Sequence, residues 1–111
     1  MINIKEAIVN KLEALDADVH FLQAPLKPKF PFILYREDDN SASTFTDDKE
    51  FSSKIIYVID IYVKGSTSYL TTEVNRIMTE EGFLRTLCKD IADPTEGVQH
   101  KTIRFIQYKI I

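Results

Sequence analysis

The 111-residue sequence holds a single cysteine, Cys88, no tryptophan and only three glycines. One cysteine excludes an internal disulfide and a cysteine-based zinc cluster, so hydrophobic burial has to hold the fold together. Gly65, Gly82 and Gly97 stand far apart, which excludes a glycine-rich loop that cradles phosphates. The longest apolar run, Ile55–Ile59, is five residues, against the ~20 that a membrane-spanning helix needs, so no membrane partner is expected. Met1–Glu6 lacks a basic region leading into an apolar stretch, and an intracellular origin is expected. A basic excess is missing too. Fourteen Lys and Arg against seventeen Asp and Glu leave a net charge of −3, without the broad positive footprint that phosphate-backbone binding requires.

What is present suits one compact domain over residues 1–111: 44% apolar residues and twelve aromatics, seven Phe and five Tyr. Ile4, Ile8, Leu12 and Leu15 recur at helical spacing and predict an amphipathic helix over residues 3–15, with Asn3 as its cap and Glu6 placed for a capping box. Pro25, Pro28 and Pro31 then remove three backbone donors, so residues 16–31 read as an extended connector. Phe32–Arg36 predicts a buried strand. Residues 37–50 read as a long, mobile, acidic loop: Glu37, Asp38, Asp39, Asp47, Asp48 and Glu50 face only Lys49, a local charge of −5 that leaves +2 for the rest of the chain.

Residues 51–64 carry the strongest strand pattern. Ile55, Tyr57, Ile59, Ile61 and Val63 fall on one face, which is assigned to the core, and Lys54, Ile56, Val58, Asp60, Tyr62 and Lys64 on the other. Leu70, Val74, Ile77 and Met78 predict a second helix ending before Gly82. Residues 83–90 fit a short strand or a helical turn, and 93–97 a turn. In 98–111 the apolar residues switch faces after Phe105, which suggests a bulge or a strand covered on both sides. The expected fold is therefore α+β, a mixed or antiparallel sheet of about four strands with two helices packed on one face. A 14-residue strand reaches roughly 46 Å, beyond the body of a globule with a radius of gyration of about 13 Å. Straight strands of that length would protrude, and pairing with another subunit would satisfy their edges.

Chemistry-bearing constellations are few. Cys88 and His100 could join an aspartate as nucleophile and base, but no local signature unites them, and a small apolar cysteine beside a surface histidine is the simpler reading. His20 and His100 lack metal-ligand spacing. Asp47-Asp48-Lys49 matches the end of a metal-dependent nuclease pattern without its second carboxylate, and the acidic stretch lacks the Gly and terminal Glu of a calcium hand. No catalytic residue, metal or cofactor is expected. Asp60 is the most unusual carboxylate, set mid-strand among Val58, Ile59 and Ile61. It is expected to point outward to a cross-strand base such as Arg104 or Lys101, or to make a subunit contact.

Tyr57-Val58-Ile59-Asp60-Ile61-Tyr62-Val63-Lys64, then Val74-Asn75-Arg76-Ile77-Met78, Gly82-Phe83-Leu84-Arg85 and His100-Lys101-Thr102-Ile103-Arg104-Phe105, resemble the tail terminator (tail completion) proteins of long-tailed bacteriophages and prophages. The resemblance implies a non-enzymatic subunit, assembled in the bacterial cytoplasm and resident in the virion tail. Such a subunit forms a homo-hexameric ring, from a chain that can be monomeric when free, on the tail tube protein. It stops tube growth and meets the head-completion or connector protein, and DNA passes it without specific binding. Under that reading Lys27, Lys29, Asp60, Tyr62, Lys64 and Arg104 are candidates for the subunit or tube interface, and Glu37, Asp38, Asp39, Asp47, Asp48 and Glu50 for a loop facing the channel. The competing reading is another head-tail neck component or a small non-enzymatic α+β binding module.

Overall fold

The computed structural model describes residues 4–46 and 49–110. In chain order these form α1 (Ile4–Glu13), β1 (Asp18–Phe21), β2 (Phe32–Thr46), β3 (Lys49–Lys64), α2 (Ser68–Glu80), β4 (Leu84–Ile91) and β5 (Val98–Ile110). The sheet order is β1-β2-β3-β5-β4. β1 runs parallel to β2 and every other neighbouring pair is antiparallel, so the α+β expectation holds with a mixed sheet of five strands instead of about four. The additional strand is β1, four residues of the expected connector that pair with Phe32–Tyr35.

The alternation in β3 decides the layering. Ile55, Tyr57, Ile59, Ile61 and Val63 are buried in one cluster with Ile8 and Leu12 of α1, Leu70, Val74, Ile77 and Met78 of α2, and Ile103 and Phe105 of β5. Both helices thus cover the same face. Each brings a stripe spaced three or four residues apart, and the odd-numbered residues of β3 meet those stripes because strand side chains alternate between faces. Lys11 Nζ reaches Glu81 Oε1 at 2.7 Å and ties the end of α1 to the end of α2. The expected capping box rests on Asn3, which lies outside the described residues.

α2 stops through backbone geometry. Phe83 N–H donates to Met78 O at 2.9 Å and Gly82 N–H to Thr79 O at 3.0 Å, a Schellman closure with Gly82 at φ +87°. That turn delivers Phe83 into the core, edge-on to Tyr57 at 5.5 Å. Gln107 of β5 locks the same corner by donating from Nε2 to Glu81 O at 2.9 Å.

Two expectations are corrected. Residues 37–46 and 49–50 are strand and not loop: β2 continues to Thr46 and β3 starts at Lys49, so the acidic stretch belongs to the far half of a long hairpin. Asp, Asn and Ser are poor strand formers on their own, and here the ladder to β3 overrides propensity, with irregularities at Glu37/Asp39 and Ala42/Thr44 that absorb the mismatch. Asp47, Asp48 and the side chain of Glu50 lie outside the described residues. β5 also carries neither a bulge against β3 nor cover on both sides. It pairs with β3 in unbroken register from Val98 to Ile110, and Tyr108 on its second face is exposed. The bulge lies in β4, between Arg85 and Leu87.

β2, β3 and β5 together make a three-stranded ribbon that sets the shape of the molecule. The radius of gyration is 15.3 Å and the principal extents are 54 × 29 × 25 Å, against about 13 Å for a compact chain of this length.

Two outcomes test this packing. A Cβ on Gly82 would sit 2.6 Å from Gln107 Nε2 at a backbone angle that L side chains disfavour, so Gly82→Ala is expected to lower stability by about 1–2 kcal/mol in denaturant titration. Burial first, then Glu37 and Tyr35, pushes the Tyr57 hydroxyl up from 10 to about 12. The unfolded chain therefore releases the Tyr57 proton first, and the Tyr57 contribution to stability is full below pH 10 and is lost as pH rises from 10 towards 12. Tyr57→Phe is expected to make that decline shallower by about one proton.

Candidate interaction face

The second face of the sheet receives neither helix. Residues opposite one another in the ladders share a face, which places Phe32, Leu34 and Arg36 of β2 beside Tyr62, Asp60 and Val58 of β3, and these beside His100, Thr102 and Arg104 of β5. On β4, Ile91, Lys89, Leu87 and Leu84 complete the rows.

At the centre sits Asp60, 8% exposed. A carboxylate that is nearly withdrawn from water has to be matched on both oxygens. Arg36 Nη1 donates to Oδ2 at 3.2 Å, and His100 Nε2 lies 2.8 Å from Oδ1. As the carboxylate accepts, the His100 proton sits on Nε2. Both partners are diagonal neighbours, two positions from the residues directly opposite Asp60, which are Leu34 and Thr102. This corrects the expected partner. Lys101 falls on the other face by parity and pairs with Asp90 at 3.0 Å, while Arg104 stands opposite Val58 and is exposed.

Next to this triad, aromatic rings stack across the strands. Tyr62 is held between Phe32, with centroids 4.5 Å apart at 10°, and His100, at 4.0 Å and 19°. Phe30 continues the row at 5.2 Å from Phe32, and Lys64 Nζ lies 5.1 Å from the Phe30 centroid. Burial, with Asp60 and Asp93 adding to it and Arg36 opposing it, raises the Tyr62 hydroxyl above its ordinary range. Because these rings turn their π faces to one another, they do not lie open for a base to stack on. The expected surface histidine is instead part of the triad and of the stack.

Towards the β4 margin the same face becomes apolar. Ile56 and Val58 are buried by their neighbours, whereas Leu84 is 68%, Leu87 42% and Tyr108 60% exposed. Single exposed apolar residues are ordinary; here they gather on the uncovered face and along an edge strand.

Of the sequence candidates, the fold brings Asp60, Tyr62, Lys64 and Arg104 onto this face. Lys27 and Lys29 stay on the exposed connector before Pro31. Glu37, Asp38 and Asp39 lie in β2 and not on a loop, with Asp38 Oδ1 3.7 Å from Arg36 Nε and Asp39 Oδ2 3.6 Å from Lys54 Nζ. The sequence reading put Phe32 in a buried strand and His100 on the surface, and did not single out Arg36, Leu84 or Leu87 for this face. Among the described residues no cluster of His, Cys, Asp and Glu could hold a metal ion, and no helix is long and apolar enough to cross a membrane. No family model matches the chain, and no curated protein is significantly similar to it.

Asp60→Ala leaves the nearly buried His100 Nε2 proton without its acceptor, while the half-exposed Arg36 guanidinium keeps Asp38 and water. It is expected to cost about 2–3 kcal/mol in chemical unfolding, whereas Lys27→Ala on the connector is expected to change stability by less than about 0.5 kcal/mol.

Proposed function

We propose that this chain is a non-enzymatic tail terminator of a long-tailed phage or prophage, a subunit that caps the tail tube as a ring, halts its polymerisation and presents a surface to the head-side connector. One observation carries the reading: an antiparallel ribbon, in a molecule 54 Å long, that has helices on one face only and, among the described residues, edges open for pairing. A subunit built to assemble needs a broad surface and unfilled edge valence, and the ribbon supplies both. The resemblance of the β3 and β5 segments to terminators supplies the identity of the assembly. In this reading the protein works in the virion tail, its partners are sister copies, the tube protein and the connector, and DNA passes without being bound. The exposed Leu84, Leu87 and Tyr108 give it apolar contact area.

Another neck component would share this geometry, so the test has to read tube length. Added to polymerising tail tubes at about one ring per tube end, the protein is expected to stop elongation and narrow the length distribution seen by electron microscopy. Tubes that continue to grow at a tenfold excess would remove the terminator reading.

A further inference from the structure

We infer that copies of this chain join head to tail through their sheet edges, β4 of one copy adding to the outer edge of β2 of the next. The inference rests on the ring reading above for closure, but its geometry comes from the sheet itself.

The lengths match. β1 covers only Phe32–Tyr35 of β2, which leaves the eleven residues Arg36–Thr46 without a strand on their outer side among the described residues. β4, at the opposite margin, is eight residues long and also lacks an outer neighbour. It fits within the open length of β2, beyond the end of β1.

Strand directions match as well. Across β2-β3-β5-β4 every pair is antiparallel, so β2 and β4 run in opposite directions. A rotation about an axis along the strands keeps those directions, and β4 of one copy therefore meets β2 of the next antiparallel. The alternation continues through the junction.

Charge selects this junction over a two-fold one. Arg36, Glu37, Asp38 and Asp39 on the β2 edge sum to −2, and Arg85, Lys89 and Asp90 on β4 sum to +1. Joining β4 to β4 or β2 to β2 opposes like charges, and only the heterologous pairing brings opposite signs together. The exposed Leu84 and Leu87 flank the joint, where a neighbour would cover them.

The single thiol makes the test direct. Cys88 lies in β4 on the helix side of the sheet, opposite Ile103, and Asn40 holds the position of β2 in register with Ile55. Asn40→Cys places a second thiol on the other edge. Under mild oxidation, free in solution and on tail tubes, this variant is expected to give a ladder of trimers and larger species on non-reducing gels, and the wild type none. Lys89→Glu is expected to weaken the ladder at least tenfold at low salt, and Lys89→Glu combined with Asp38→Lys to restore it to within about threefold. Circular dichroism checks that each variant folds. Wild-type dimers through Cys88, or no ladder in either setting, would overturn the pairing. If the ladder forms while tubes keep growing, the edge pairing stands and the terminator reading falls. If tubes stop growing without a ladder, the terminator reading stands and the pairing falls.

Discussion

A strand at the margin of a sheet carries a row of backbone donors and acceptors that only water or another strand can satisfy, and this molecule has long margins. They follow from β3. At 16 residues it is too long for two short helices to cover from end to end. It is paired on both sides almost throughout, so β2 and β5 are drawn out along it and the open valence moves to the outer side of β2 and to β4. The elongated shape and the face without helices follow.

The uncovered face is specified more tightly than an idle surface needs to be. Asp60 is a nearly buried carboxylate matched on both oxygens from two flanking strands. Removing one partner of such an arrangement is costly, whereas the arrangement itself adds little net stability over a well-packed apolar equivalent. Its effect is to bind β2, β3 and β5 in one register. With Tyr62 clamped between Phe32 and His100, the ribbon is fastened at the end where β1 pairs with β2.

The core was legible in the sequence because alternation in β3 and the stripes at Ile8, Leu12, Val74 and Ile77 each have a period that propensity does not obscure. The far half of the hairpin was not. Glu37-Asp38-Asp39-Asn40-Ser41 has the composition of a loop, and its strand state comes from pairing with β3. β1 was hidden for a similar reason, as four residues ahead of a proline-rich stretch become a strand only beside β2. The Asp60 triad was half legible. A carboxylate amid Val58, Ile59 and Ile61 signals a partner, but naming Arg36 and His100 requires the register of strands 24 and 40 residues away in sequence, and period alone does not supply it.

Amide hydrogen exchange tests the claim that these margins are completed by other copies. The account predicts that outward-facing amides of residues 36–46 and 84–91 exchange rapidly in the isolated chain and become strongly protected, together, when it is assembled on tail tubes, while amides shared between β3 and β5 are protected in both states. Slow exchange at both margins in a monomer, or no gain of protection on assembly, would contradict it.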